Sequence, residues 1–155
     1  MMRVRAMLEA DAGAVAAINE ASPEAARWGL AAYKALLSNP AAGSVLVAER
    51  EGEVAGFVCY RVVGPEAELL NLAVLPPLRR QGVGSQLLER ALQQASEKGA
   101  ARIFLEVRGA NLAALRLYQR HGFERAGYRP GYYANPPDDA VVLSRRLPQA
   151  VGSRR

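Results

Sequence analysis

Residues 75–92 read L-P-P-L-R-R-Q-G-V-G-S-Q-L-L-E-R-A-L, and the reading of this stretch decides the fold. An apolar, strand-like run at 69–74 leads into it, and Pro76 and Pro77 stop that strand because neither can donate to a ladder. Behind Arg79, Arg80 and Gln81 come Gly82, Val83, Gly84 and Ser85. Then Leu87, Leu88, Ala91, Leu92 and Ala95 recur at the spacing of one helix face. A glycine-rich turn that opens a helix leaves backbone N–H groups unpaired at the positive end of the helix dipole, where an anion binds. Gly82 and Gly84 carry no Cβ, so a ligand can come close to the backbone. Arg79 and Arg80 add positive charge and forked donors that suit phosphate. The stretch therefore reads as a pyrophosphate cradle between a strand and a helix. A P-loop is excluded, because no Gly-Lys-Ser/Thr ends the turn. The dinucleotide fingerprint is excluded as well, since it needs a third glycine where Leu87 stands. What remains is R-x-x-G-x-G.

Toward the N-terminus, residues 66–74, 54–63 and 44–49 read as three strands joined by turns at Glu51-Gly52 and Gly64-Pro65. Before them lie a short strand at 2–7, a helix capped by Asp11 that runs to about Glu20, and a second helix from Glu24 or Arg27 to Leu37. Toward the C-terminus the cradle helix closes at Gly99, and a strand follows at 102–107. A helix from Asn111 to Arg120 ends at His121-Gly122. Two last strands, 123–132 and 140–146, flank a Pro-rich loop at 135–139. The order β-α-α-β-β-β-α-β-α-β-β predicts one α/β domain over 1–147, a mixed and mostly antiparallel sheet with helices on both faces. Residues 148–155 read as a flexible basic tail.

A chain of 155 residues, half of them apolar, can bury one real core. The net charge of +5 favours anionic partners, but the arginines are scattered among acidic residues and make no dedicated nucleic-acid face. Cys59 is the only cysteine, so it reads as a small buried hydrophobe and no intrachain disulfide can form. The start lacks a secretory h-region, and no apolar run reaches membrane-spanning length, so the expectation is a cytoplasmic protein. His121, the only histidine, has no partner ligands, and no metal is expected.

The R-x-x-G-x-G of Arg79, Gly82 and Gly84, set between the fourth strand and the third helix, resembles the acetyl-coenzyme A motif of the GNAT superfamily of N-acetyltransferases. Three further segments narrow the likeness: A-E-L-L-N-L-A-V at 67–74, L-E-V-R-G-A-N-L-A-A-L-R-L-Y-Q-R-H-G-F at 105–123 and G-Y-Y-A-N-P-P-D-D-A at 131–140. They are similar to the ribosomal-protein alanine N-acetyltransferases of the RimI type, which acetylate the α-amine of a protein N-terminus. The likeness covers about residues 67–143. It departs at Ala110, where Ser is usual, at Gly131, where Asn is usual, and at the W-G-L around Trp28, where P-W-S is usual. The last two departures fall where the acceptor peptide would bind. The resemblance implies the GNAT fold, its sheet splayed between the fourth and fifth strands. It implies acetyl-coenzyme A as cofactor, leaving as coenzyme A, and a ribosomal-protein N-terminus as partner, with no direct nucleic acid and no membrane. Oligomeric state, monomer or weak dimer, stays open.

Acetyl transfer to an amine needs a neutral amine, a stabilised carbonyl oxygen and a protonated leaving thiolate. Glu106 sits within the apolar run I-F-L-E-V, where burial would raise its pKa toward that of a useful base. The resemblance gives Glu106 the general-base role through a water, with an arginine-paired structural carboxylate as the plainer reading. Glu68 is the alternative base, at the fourth-strand position used by histone-type members. The resemblance places the Tyr118 hydroxyl at the coenzyme sulfur as general acid, and gives Asn111, also a helix N-cap, a hydrogen bond to the cofactor arm. Leu72, Ala73 and Val74 are expected to offer backbone groups to the pantetheine. Arg79, Arg80, Gln81, Gly82, Val83, Gly84 and Ser85 are expected to hold the phosphates. Asn71 marks the interrupted pairing, and with Trp28, Tyr33, Tyr132 and Tyr133 is expected to line the acceptor groove, with a place in the core as an equal reading for Trp28 and Tyr33. Two other functions stay open: a GNAT that acetylates lysine side chains or a small amine, and a non-catalytic coenzyme A-binding or nucleic-acid-associated module. The intact set of Glu106, Asn111 and Tyr118 argues for catalysis.

Overall fold

The computed structural model describes residues 2–149 and holds seven strands. The strands are β1 Met2–Ala6, β2 Ser44–Arg50, β3 Glu53–Val63, β4 Glu66–Val74, β5 Arg102–Arg108, β6 Glu124–Ala134 and β7 Pro137–Arg146. They form one sheet in the order β1-β2-β3-β4-β5-β7-β6. β4 and β5 alternate between buried and more open positions, while the middles of β2 and β3 are buried throughout. Only the β4–β5 pair is parallel, so the mixed, mostly antiparallel sheet expected from the element order is what forms. β7 lies inside β6 for a reason visible in composition. The Ala140–Leu143 part of β7 is apolar and largely buried, whereas β6 carries Pro130, two glycines and mostly exposed side chains, which suit an edge.

Helices cover both faces. On one face α3 (Val83–Glu97) lays Leu87, Leu88, Ala91, Leu92 and Ala95 on Val58, Leu69 and Ile103, and Tyr118 of α4 (Leu112–Arg120) joins the same core. On the other face α1 (Ala12–Glu20) and α2 (Leu30–Ser38) pack Val15, Ile18 and Tyr33 on Val47, Phe57 and Cys59. α3 presses close to the sheet at Gly56, where an added Cβ would stand 2.9 Å from the Ala73 carbonyl oxygen and 3.2 Å from Leu87.

The parallel pair holds only at Glu66–Arg102, Ala67–Ile103 and Glu68–Phe104. Beyond it β4 and β5 part. The β3–β4 register jumps from Tyr60–Leu69 to Cys59–Asn71, so Leu70 is an extra residue, a bulge that bends β4 where the parting begins.

Four local expectations are corrected. α2 starts at Leu30, not at Glu24 or Arg27, because side-chain amides from elsewhere take the backbone groups of 26–28. The loop expected at 135–139 shrinks to Asn135-Pro136 between β6 and β7. The Asp11 carboxylate does not cap α1; it accepts the Leu8 N–H at 2.7 Å and both arms of the Arg5 guanidinium at 2.7 and 3.0 Å. Of the expected tail, Pro148 accepts from Ser96 and Gln149 donates to the Ala100 carbonyl; residues 150–155 lie outside the described residues.

Candidate active site

The parting of β4 and β5 opens a cleft of about 1180 Å³ that runs from the N-terminus of α3 to the β6–β7 end of the sheet. The cradle lies at the α3 end. The first α3 bond is donated by Gln86 to the Gly82 carbonyl, so the N–H groups of Val83, Gly84 and Ser85 have no helical partner. Arg80 and Gly82 both adopt left-handed backbone, φ +65° and +83°, which curls the turn around that end. This conformation comes free to Gly82 and costs Arg80 some strain. Gly84, Leu72, Val74 and Leu117 form an apolar wall beside the amides. Arg80 makes no hydrogen bond or ion pair among the described residues. Two other cradle side chains, both expected as phosphate contacts, have partners within the protein. Gln81 accepts from Arg50 and does not line the cleft, whereas Arg79 lines it with its guanidinium bonded to Val74, Ser22 and Glu24. Ser85 Oγ lies 3.1 Å from His121 Nε2.

Along the cleft, Asn111 accepts the Ala114 N–H at 3.1 Å and so caps α4, while its amide nitrogen has no partner among the described residues. Tyr118 is 6% exposed and packs edge-on to Phe123. Burial pushes its phenol well above the ordinary range, so it remains a hydroxyl. That hydroxyl hydrogen-bonds nothing among the described residues, yet it is no sealed orphan, because it opens into the cleft. Glu106 enters the same cleft from the other side. The burial inferred from its apolar neighbours is wrong: Ile103, Leu105 and Val107 point into the α3–α4 core, and Glu106 alternates onto the opposite face. Its partner is Arg129 at 2.9 Å. Glu68 does not line the cleft. It pairs with Arg61 at 2.8 Å on β3, before the strands part.

The α1/α2 side of the cleft is walled by residues 24–27. Asn71 is 5% exposed and faces this connection. Its Nδ2 donates to the Ala26 carbonyl at 3.1 Å and its Oδ1 accepts the Ala26 N–H at 3.2 Å. The same Oδ1 takes the Leu72 N–H at 3.1 Å, so Leu72 offers its neighbours in the cleft no free amide. Tyr33 and Trp28 are corrected. Tyr33 is fully buried, donates to Asn19 Oδ1 at 2.6 Å and meets Phe57 edge-on, and Trp28 packs against Tyr33; neither lines the cleft. Tyr133 does line it, with the Arg108 guanidinium 4.2 Å over its ring, and Tyr132 beside it is exposed. Asp138 and Asp139 fasten this corner by accepting from the Ala110 N–H and from Tyr128 and the Gly131 N–H. Sequence reasoning missed Asn19, Arg129 and the wall at 24–27. Only Asn19 carries a signal, an amide on the buried stripe of α1.

The model of the acetyltransferase (GNAT) family matches residues 12–123. The chain belongs to the GNAT acetyltransferase family. Among curated GNAT relatives, it is 37% identical over 111 residues to the putative ribosomal protein bS18-alanine N-acetyltransferase of Bacillus subtilis (strain 168), covering 72% of this chain and 73% of that one. It is 39% identical over 97 residues to the ribosomal protein bS18-alanine N-acetyltransferase of Escherichia coli (strain K12), covering 61% and 66%. The crystal structure of the ribosomal-protein-S18-alanine N-acetyltransferase from Escherichia coli superposes with a TM-score of 0.84 at 28% identity, covering 100% and 99%. Ard1 from Thermoplasma volcanium superposes with 0.84 at 27% identity, covering 96% and 99%.

GNAT acetyltransferases use acetyl-coenzyme A, and the cleft of this GNAT chain fits it in sequence of chemistry. Unpaired helix-end amides and a free Arg80 suit the phosphates, apolar walls of Leu72, Val74 and Leu117 suit the pantetheine, and an open tyrosine hydroxyl stands further along.

Proposed function

We propose that this chain transfers the acetyl group of acetyl-coenzyme A to the α-amine of a protein N-terminus, that of a ribosomal protein beginning with alanine. One observation carries the reading: Glu106 and Tyr118 reach the same cleft from opposite faces of the sheet, where the splay lets an acceptor on one face meet a cofactor on the other. The names borne by the Bacillus and Escherichia relatives supply the acceptor class.

The coenzyme, when bound, supplies the acetyl group as a thioester. Glu106 takes a proton from the acceptor amine through a water. An α-amine has a pKa of about 8, so a modest base suffices at neutral pH. Arg129 holds the Glu106 carboxylate in place. Tyr118, kept protonated by burial, donates to the departing sulfur. Asn111 and the backbone of β4 orient the cofactor arm, and Tyr133 with the 24–27 wall bounds the acceptor. A ribosomal protein meets such an enzyme in the cytoplasm. No helix among the described residues is long and apolar enough to cross a membrane.

A peptide pair tests the reading. A peptide beginning Ala-Arg with a free α-amine is expected to be acetylated, and its α-blocked twin with an internal lysine is not. Mass spectrometry that finds lysine as the main modified site would move the chain to the lysine-acetylating branch of its family.

A further inference from the structure

Of the two arginines that open the cradle, Arg79 is already engaged within the protein. Its Nε donates to the Val74 carbonyl at 3.3 Å, and its Nη2 donates to Ser22 Oγ at 3.1 Å and to the Glu24 carboxylate at 3.0 Å. Val74 ends β4, and Ser22 and Glu24 belong to the connection between α1 and α2. Arg80 differs. Both arginines line the cleft, but Arg80 has no hydrogen-bond or ion-pair partner among the described residues.

The connection held by Arg79 is also held two residues further on. Ala26 is clasped through both its N–H and its carbonyl by Asn71, and Asn19 Nδ2 donates to the same carbonyl at 2.7 Å. Residues 21–29 include no α-helix or strand, so these side chains supply the partners that secondary structure would otherwise give the backbone. The buried amides fix the middle of the connection, and Arg79 fixes its rim. Glu24 and Arg27 bracket the cleft wall on the α1/α2 side, toward which Glu106 alternates.

We propose that Arg79 is a positioning residue for the acceptor and not a phosphate ligand: it ties the end of β4 to the acceptor-side wall, and leaves Arg80 with the α3 amides to receive the phosphates. This rests on the reading of the chain as an α-amine acetyltransferase. The Arg79–Glu24 pair is about two-fifths exposed on each side, so its energy alone is small. Its effect is placement. Three acceptors on two elements hold the guanidinium in one orientation, and with it the spacing between the wall and β4.

The test compares Arg79→Ala, Glu24→Gln and Arg80→Ala by three measurements: hydrogen exchange of the 22–28 amides, calorimetric titration with coenzyme A, and KM for an Ala-Arg peptide. Arg79→Ala and Glu24→Gln are expected to speed exchange at 22–28 and to raise peptide KM about tenfold, while coenzyme A affinity stays within about twofold. Arg80→Ala is expected to do the reverse, weakening coenzyme A about tenfold with exchange at 22–28 unchanged. Glu24→Gln changes one exposed group, so it stays informative if Arg79→Ala fails to fold. Loss of coenzyme A affinity in Arg79→Ala equal to that in Arg80→Ala overturns the proposal, and so does unaltered exchange at 22–28 in Glu24→Gln. Exchange and titration need no turnover. A wild-type enzyme that acetylates no α-amine would therefore refute the functional reading while these two measurements still decide the role of Arg79.

Discussion

In the proposed mechanism Glu106 and Tyr118 divide the proton transfers between the two faces of the sheet, and each can lose its chemistry while keeping its shape. Glu106→Gln is expected to lower turnover by about ten- to ten-thousandfold, the range of general acid–base catalysis, with coenzyme affinity unchanged. Glu68→Gln should leave turnover close to that of wild type, because Glu68 is occupied with Arg61 outside the cleft. If kinetics show Glu68→Gln as the crippled variant instead, the base is Glu68. Tyr118→Phe removes only the hydroxyl and keeps the ring against Phe123. Its turnover should fall about tenfold or more with the melting temperature intact. Tyr118→Ala should in addition lose stability, about 3–5 kcal/mol, through the packing it vacates. Normal turnover in the Phe variant would make Tyr118 a core residue only. Residues of this kind were legible because their neighbours spell a pattern: Glu106, Asn111 and Tyr118 stand together in L-E-V-R-G-A-N-L-A-A-L-R-L-Y, and the fold brings all three to one cleft. The choice between groove and core for Trp28 and Tyr33 was not legible because an aromatic side chain has no address in the sequence. Whether it meets a groove or a core depends on Phe57 and Asn19, which are distant or unremarkable in the chain.

At the scale of elements, the cradle depends on how closely α3 lies on the sheet. Gly56 of β3 sets that distance. A methyl there would stand 2.9 Å from a β4 carbonyl oxygen that has little freedom to move, and 3.2 Å from Leu87. Gly56→Ala should therefore push α3 and the end of β4 apart. The expected cost is about 1–3 kcal/mol, the usual range for overpacking, or roughly 2–4 °C in melting temperature for each kcal/mol in a chain of this size. Coenzyme A affinity should fall with it, because the helix-end amides and the β4 wall no longer face one ligand. Calorimetry showing a wild-type melting temperature would mean that the helix already rides higher. The elements themselves were largely readable, since each is written in its own period of apolar residues. What was not readable came from contacts across the chain. The start of α2 is delayed to Leu30 because Asn71, 45 residues from Ala26, takes the backbone groups of the connection. The strand-pair order at the C-terminus is decided by which strand β5 prefers, and the apolar β7 wins that place over β6.

The whole molecule is two cores separated by one sheet, and its pH range follows from what each core encloses. Tyr33 and Cys59 lie buried on the α1/α2 side and Tyr118 lies beneath α4. Burial raises all three, Cys59 to about 12, because an anion in an apolar core loses its hydration. The folded chain thus holds these protons more tightly than the unfolded chain. Above the ordinary thiol and phenol values the unfolded state is the more ionised one, so stability must fall as pH rises through the gap. At the other end, hydrogen bonds from Arg5 hold the Asp11 carboxyl below its usual range, so its contribution is present above the ordinary carboxylate value and is lost as pH falls. A stability plateau between these limits is expected, with its alkaline shoulder set by the cores and not by the surface arginines, which keep their charge throughout. Urea midpoints measured at rising pH should hold steady to about pH 8.5 and then decline. Cys59→Ala separates packing from proton linkage. It should lower the midpoint at neutral pH, because a buried side chain is shortened, yet show a shallower decline above about pH 9, because one of the tightly held protons is gone. A parallel alkaline decline in wild type and variant would mean that Cys59 does not contribute, and that the tyrosines set the shoulder.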